Sequence, residues 1–468
     1  MGFMALVRLA GPLAIAEIAT MLGGVATTMM LGRLGAEALG VQGLASILFI
    51  NVAIFGFDLL LGLDYPTAHA VGAGRLDEAL NYLVQGCWLA ALLTVLLTTI
   101  VWYGSPLLVH AGLSATLLTP TLAYLRIVSL GLLPVLIWIA CRRYLQARGR
   151  VHGVMLTLLG ALGLEVFVKW VLIFGRLGAP ALGVAGAAWG AVIEFTFVGI
   201  VGLALVWMVT RHDAIARPSF APEFGRLREL IRLGLPAGTR SAVEVGFIAA
   251  VTTLAARVDT TSLAAHQITL NLASLTFMIP LGLSAGTAVQ VGNALGAGDP
   301  QLARRAGWTG IATGAGVMTL TAIAFTVIPQ RLLHAYTADP TIVAIGVPLL
   351  WCAAAFQLFD GVQVMATGAL RGSGDTRTPL VANLIAHWGI GLPLGWLLCF
   401  HWSWGVVGLW IGLSTGLILV GSTLVLVWAW RARRLAVHQP PSSADRDPNR
   451  LGGLTNDCVD DVERLRRR

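Results

Sequence analysis

Apolar residues fall in runs of about 20, long enough to cross a bilayer as helices, and the runs recur along almost the whole chain. They do not alternate with period two, which argues against a β-barrel. Twelve spans are predicted, at 9–31, 43–67, 79–103, 120–141, 154–174 and 184–210, then at 233–256, 263–292, 306–328, 343–370, 379–400 and 406–430. Polar punctuation separates them into an N-terminal six-helix lobe (1–210), a connector (211–232) and a C-terminal six-helix lobe (233–430). The connector carries Pro218, Pro222 and five arginines. A tail (431–468) with Pro440, Pro441, Ser442 and Ser443 followed by mixed charges is expected to be disordered and cytoplasmic.

The halves repeat. Pro12 matches Pro236, Leu39 matches Leu263, and Gly72-Ala73-Gly74 matches Gly296-Ala297-Gly298, all at one constant offset. Leu145 with Leu370 and Gly149 with Gly374 follow at that offset plus one residue. Six spans per half make the repeat parallel. The fold class is therefore an all-α membrane protein, its twelve transmembrane helices forming two six-helix bundles related by a pseudo-two-fold axis along the membrane normal.

Composition agrees: 57% of residues are hydrophobic and 12% charged, against about 25% charged in a soluble domain. The net charge of +8 reads as an orientation signal, since no basic stripe with interleaved aromatics points to nucleic acid. With the N-terminus inside, inner loops hold Arg8, Arg75, Arg142, Arg143, Arg148, Arg150, Arg211, Arg217, Arg226, Arg228, Arg232, Arg304, Arg305, Arg371 and Arg377. Outer loops hold Arg33, Arg176, Arg257 and Arg331, so both termini are expected in the cytoplasm. The first apolar run continues as a full span, so no cleavable signal peptide is expected. Cys87, Cys141, Cys352, Cys399 and Cys458 show no metal spacing and no pairing logic. The Gly-Ala-Gly loops lack the lysine and hydroxyl of a phosphate-cradling loop, which rules out nucleotide binding there.

Charges within spans are the candidate chemistry, because a carboxylate at bilayer depth costs about 2.5–3.5 kcal/mol on insertion scales. Glu244 and Asp360 lie deep in their spans, and a carboxylate there can hold Na⁺, a proton or a cationic cargo in competition. Lys169, the only lysine, follows Glu165 by four residues on one helix face. That pair reads equally as part of a functional polar cavity with Asp58 and Glu194, or as a neutralised structural pair. Glu17 and Asp64 also lie within or near spans, and Asp64, close to a span end, is read as reaching water. His266 and His387 are read as packing residues, the tryptophans mostly as interfacial belts (Trp402 and Trp404 among them), and Pro134 and Pro280 as kinks.

Several motifs carry a resemblance: Ala264-Ala265-His266-Gln267-Ile268-Thr269-Leu270-Asn271, the Gly-Ala-Gly loops, Gly368-Ala369-Leu370-Arg371-Gly372-Ser373-Gly374-Asp375-Thr376 and Gly391-Leu392-Pro393-Leu394. Together they resemble multidrug and toxic compound extrusion (MATE) transporters over residues 5–430, closest to the NorM-like branch. The resemblance implies a secondary antiporter of the bacterial inner membrane that exports small cationic or amphipathic molecules against Na⁺ or H⁺, with no cofactor. It implies cation coupling at Glu244 and Asp360, including a candidate Na⁺ site there. The first half departs from the family: Thr27 stands where many relatives have aspartate, and Glu165 and Lys169 replace two asparagines. A monomer in contact with membrane lipid is expected. Rival readings are a flippase for lipid-linked oligosaccharides, which would want cationic residues such as Lys169, Arg126 and Arg240 in the cavity, and an integral-membrane enzyme, for which no nucleophile–base or metal cluster is found.

Overall fold

The computed structural model describes residues 3–104, 115–211, 213 and 219–437, and its long elements are all helices. In the first half these are α1 (Phe3–Gly32), α2 (Ala36–Gly72), α3 (Leu76–Gly104), α4 (Ala115–Ser129 with Leu132–Ala147), α5 (Val151–Phe174) and α6 (Val184–Thr210). The second half supplies α7 (Phe224–Ala256), α8 (Thr260–Gly296), α9 (Pro300–Val327), α10 (Pro340–Gly372), α11 (Arg377–His401) and α12 (Gly405–Val437). Ten are long and apolar enough to cross a bilayer, and α4 makes an eleventh if its two parts, bent by 46°, count as one span. The twelfth, α7, is diluted by Arg226, Arg228, Glu229, Arg232, Arg240 and Glu244. Arg217, Pro218, Cys458, the tail beyond Val437 and the Arg8 side chain lie outside the described residues.

Helices overrun the hydropathic spans at their charged ends: α7 starts at Phe224 rather than 233, and α12 runs to Val437 rather than 430. Arginine is a good helix former that extends its charge toward water, so apolarity ends before the helix does. The bend in α4 falls just before Pro134, while Pro280 sits inside the continuous helix α8. A 3₁₀ turn, Leu60–Leu63, interrupts α2, and π-helical turns occupy Leu384–Gly391 and Leu397–His401 of α11.

The α1–α6 bundle packs around Leu60, Leu89, Leu97, Leu125, Leu136 and Tyr144. The α7–α12 bundle packs around Phe247, Phe356 and Trp410, with a second cluster at Met365, Leu370 and Trp428. Trp410 and Trp428 are fully buried, so these tryptophans belong to the core rather than to the interfacial belt, whereas Trp402 and Trp404 are exposed. The repeat is visible in the turns. Gly74, Gly149, Gly298 and Gly374 all have φ between 69° and 81°. In each turn the next residue's N–H bonds back to the carbonyl five residues earlier, as in Arg75 to Ala70 and Asp299 to Ala294, both 2.9 Å.

The bundles meet through α1 against α8 and through α2 against both α7 and α8. A Cβ on Gly72 would strike the Asn293 carbonyl, and one on its repeat partner Gly296 would strike the His69 carbonyl. Only glycine allows that approach. Polar cross-links are Tyr82 to Glu229 (2.8 Å), Asn293 to the Ala147 carbonyl (3.2 Å), Asp64 to Arg371 (2.8 Å) and Ser241 to Asp58. They run from the connector end of the helices to about mid-length. No hydrogen bond or ion pair joins the bundles in the opposite half among the described residues. The molecule is sealed at its connector end.

Candidate functional site

In the second bundle α7, which carries Glu244, packs against α11, and α10, which carries Asp360, packs against α12. Asp360 on α10 is 8% exposed, and among the described residues its one hydrogen bond is a long one, from Gln363 Nε2 to Oδ1 at 3.4 Å. Glu244 on α7 is close enough for its charge to act on Asp360. Glu244 is itself engaged: Arg240 Nη1, one turn earlier, lies 2.5 Å from Oε2. His387 on α11 is within electrostatic reach of both Glu244 and Arg240 and stacks near Phe247 at 4.6 Å. Trp388 Nε1 donates to the Val243 carbonyl at 3.0 Å, fixing α11 against α7. The result is one carboxylate balanced by a guanidinium and a second, more deeply buried, without a cationic partner among the described residues. Among the described residues no group of three or more His, Cys, Asp or Glu could hold a metal. A hard cation at Asp360 would draw its remaining oxygens from amide or backbone groups.

The first bundle is arranged differently. Lys169 Nζ lies 2.5 Å from Glu165 Oε1 and donates to Thr27 Oγ1 at 2.8 Å, while Thr27 donates to the Gly23 carbonyl at 2.9 Å. Glu165 lies directly on Gly23, and the Lys169 stem lies on Gly190 of α6. Glu194, one turn beyond Gly190, senses the charges of both Glu165 and Lys169. Thr27, Glu165 and Lys169 are all buried.

Asp58, Asp64 and Glu17 do not join that cluster; Asp58 and Asp64 line the seam between the bundles, and Glu17 bonds within the first bundle. Ser241 donates to Asp58, and Glu17 pairs with Arg142. Asp64 is 3% exposed, so it does not reach water. Its oxygens lie 2.8 Å from Arg371 Nε and 3.6 Å from Arg143 Nε, as ion pairs rather than aligned hydrogen bonds. Arg142, Arg143 and Arg371, assigned to loops by hydropathy, are thus helical residues turned inward where acids wait for them. His266 is a packing residue: Trp410 Nε1 donates to Nδ1 at 3.1 Å and Thr252 Oγ1 lies 2.9 Å from Nε2.

Sequence reasoning missed the partner roles of Arg240, Ser241, Gln363 and Arg371. Arg240 and Glu244 have the same four-residue spacing that identified Glu165 with Lys169, so that pair was legible. Arg371 and Asp64 are joined only by the docking of two bundles, which no local pattern encodes.

The sequence profile of the MatE family matches this chain twice, over residues 12–171 and 236–397, starting at the repeat-related Pro12 and Pro236. The chain is 34% identical over 438 residues to a probable multidrug resistance protein NorM of Mesorhizobium japonicum, covering 92% of this chain and 94% of that protein. It is 36% identical over 437 residues to one of Deinococcus radiodurans, covering 92% and 95%. In fold it is similar to a crystal structure of a eukaryotic MATE transporter (TM-score 0.83, 22% identity, 93% of this chain and 99% of that one). It is also similar to an outward-facing conformation of a multidrug resistance MATE transporter (TM-score 0.84, 19% identity, 92% and 96%).

Proposed function

Because the chain belongs to the MatE family, we propose that it is a secondary antiporter exporting organic cations and amphipathic drugs in exchange for Na⁺ or H⁺. The observation that carries the reading is Asp360: a buried carboxylate, near a second acid, with no ion pair among the described residues, whereas the equally buried Asp64, Glu165, Lys169 and Arg371 are all paired. Such a group holds a cation or a proton at one moment and a cationic drug at another, and that exclusion couples the two fluxes.

The arginine bias supports a bacterial inner-membrane protein with the connector and both termini in the cytoplasm. The sealed end is then cytoplasmic, and the arrangement is outward-facing. Alternating access follows from parting the α1–α8 and α2–α7 contacts at that end while the opposite halves close. Each chain carries a complete pair of bundles, so the monomer is the transporting unit, needing a coupling ion and no cofactor. The oligosaccharide flippase is disfavoured, since Lys169 and Arg240 are each taken by a carboxylate on their own helix and Arg126 lies at the surface beside Trp102 and Tyr103.

The test is uptake of a fluorescent organic cation into inverted vesicles under a Na⁺ gradient or a pH gradient imposed separately. One gradient should drive uptake into the vesicles and collapse when discharged. Uptake indifferent to both would refute ion coupling.

A further inference from the structure

A cleft of about 770 Å³ opens between the connector ends of α7 and α11, lined by Gly225, Arg228, Glu229, Arg232 and Arg377. All three arginines are exposed, and none has an acidic partner among the described residues. Nearby arginines are paired: Arg226 lies 3.2 Å from Glu223, and Arg431 lies 2.9 Å from Asp375. Glu229 accepts from the Tyr82 hydroxyl at 2.8 Å, so a carboxylate in the cleft already has a donor from the other bundle. Three positive charges therefore converge on a hollow with unspent donors.

Its depth in the membrane points to an occupant. Arg377 is the first residue of the apolar span Arg377–His401, and Arg232 immediately precedes the apolar part of α7, which puts both guanidinium groups at headgroup level. Below Arg377, at helical spacing on the same face, Val381, Leu384 and Ile385 are about half exposed, an apolar track for an acyl chain. At the other end of the same helix pair, a separate hollow of about 790 Å³ is lined by Leu254, Leu392, Pro393, Trp396 and Leu397. The seam between α7 and α11 thus admits apolar matter and is capped by cations.

We propose that this cleft binds the phosphate headgroup of an anionic phospholipid, with its chains lying along α11. Guanidinium forks match phosphate oxygens two at a time, and basic pockets between membrane helices favour such headgroups. The site is separate from the transport reading and does not depend on it.

The full-length protein is purified in mixed micelles containing phosphatidylglycerol and phosphatidylcholine of matched chains, and retained lipid is counted by native mass spectrometry. Phosphatidylglycerol should be retained preferentially. Arg228→Gln, Arg232→Gln and Arg377→Gln combined should weaken that retention roughly a hundredfold, and Arg377→Gln alone roughly fivefold. Arg226→Gln, outside the cleft, should leave it unchanged. Arg377 is exposed and unpaired among the described residues, so the single variant keeps its elution profile and separates lost binding from misfolding. Equal retention of the two lipids by the unaltered protein, or unchanged retention by the triple variant, would overturn the proposal. Inorganic phosphate and glycerol phosphate are the competing sources of the same chemistry. Neither should displace the lipid, and complete displacement by either would make the site one for a soluble anion instead.

Discussion

The two bundles share a fold and differ in how they treat buried charge. In the first, Glu165, Lys169 and Thr27 form a closed set in which the ammonium meets both a carboxylate and a hydroxyl. In the second, Arg240 satisfies Glu244 and leaves Asp360 with a long amide contact. At the offset that matches Gly149 to Gly374, the counterpart of Asp360 is Val135 and that of Lys169 is Leu394. Duplication supplied the scaffold, and each half acquired its charges separately. The lesson is that symmetry of backbone does not imply two equivalent ion sites: each bundle holds an acid without an ion pair among the described residues, Glu194 beside a paired Glu165 and Lys169 in the first, and the more deeply buried Asp360 in the second.

The comparison can be broken most severely at Asp360. Asp360→Asn is expected to reduce ion-driven uptake into inverted vesicles to the leak rate while leaving membrane abundance unchanged; transport at the unaltered rate would remove this acid from the mechanism. Next comes the residue between the bundles. Asp64→Asn leaves Arg143 and Arg371 facing each other in a buried seam, with an expected cost of about 3–5 kcal/mol to the sealed arrangement. Cysteine labelling near the connector end should rise accordingly, and unchanged labelling would show that the glycine contacts alone hold the seal.

Lys169→Met makes the first bundle resemble the second by freeing a buried carboxylate. Resistance to individual compounds should change severalfold, with protein amount nearly constant. An unaltered resistance profile with reduced expression would make the pair structural. The smallest effect is at the entrance to α8. Asp259 caps that helix through Ser262, whereas its repeat counterpart Gly35 offers α2 no side chain. Asp259→Ala should cost about 1 kcal/mol in thermal unfolding. The hydrogen bonds from Ser262 hold the Asp259 carboxyl below the usual carboxylate range. Its contribution is therefore present above the ordinary carboxylate pKa and lost as pH falls through the lower folded value. The Ala variant should show no such acid loss.

Much of the fold was legible because bilayer thickness turns composition into geometry: a run of apolar residues fixes a helix, and the repeat fixes how many face each way. Helix ends were less so, as α7 and α12 continue through arginines that hydropathy assigns to loops. The site was legible only within single helices. Glu165 and Lys169 stand four apart and must meet, and Arg240 and Glu244 obey the same rule. Asp64 was misread as solvated because its neutralising partners come from α4 and α10, and the core place of Trp410 was not legible because its partner, His266, lies 144 residues away.

The double partnership of Asp64 bears on how the protein opens. Arg143 belongs to the same bundle as Asp64 and travels with it, while Arg371 departs with the other. When the inner mouth opens, the acid loses one counter-ion and keeps one, and the guanidinium left behind sits at the end of its helix, where solvent can reach it. The lock is thus asymmetric: parting the bundles breaks the Asp64–Arg371 pair and leaves Asp64 with Arg143.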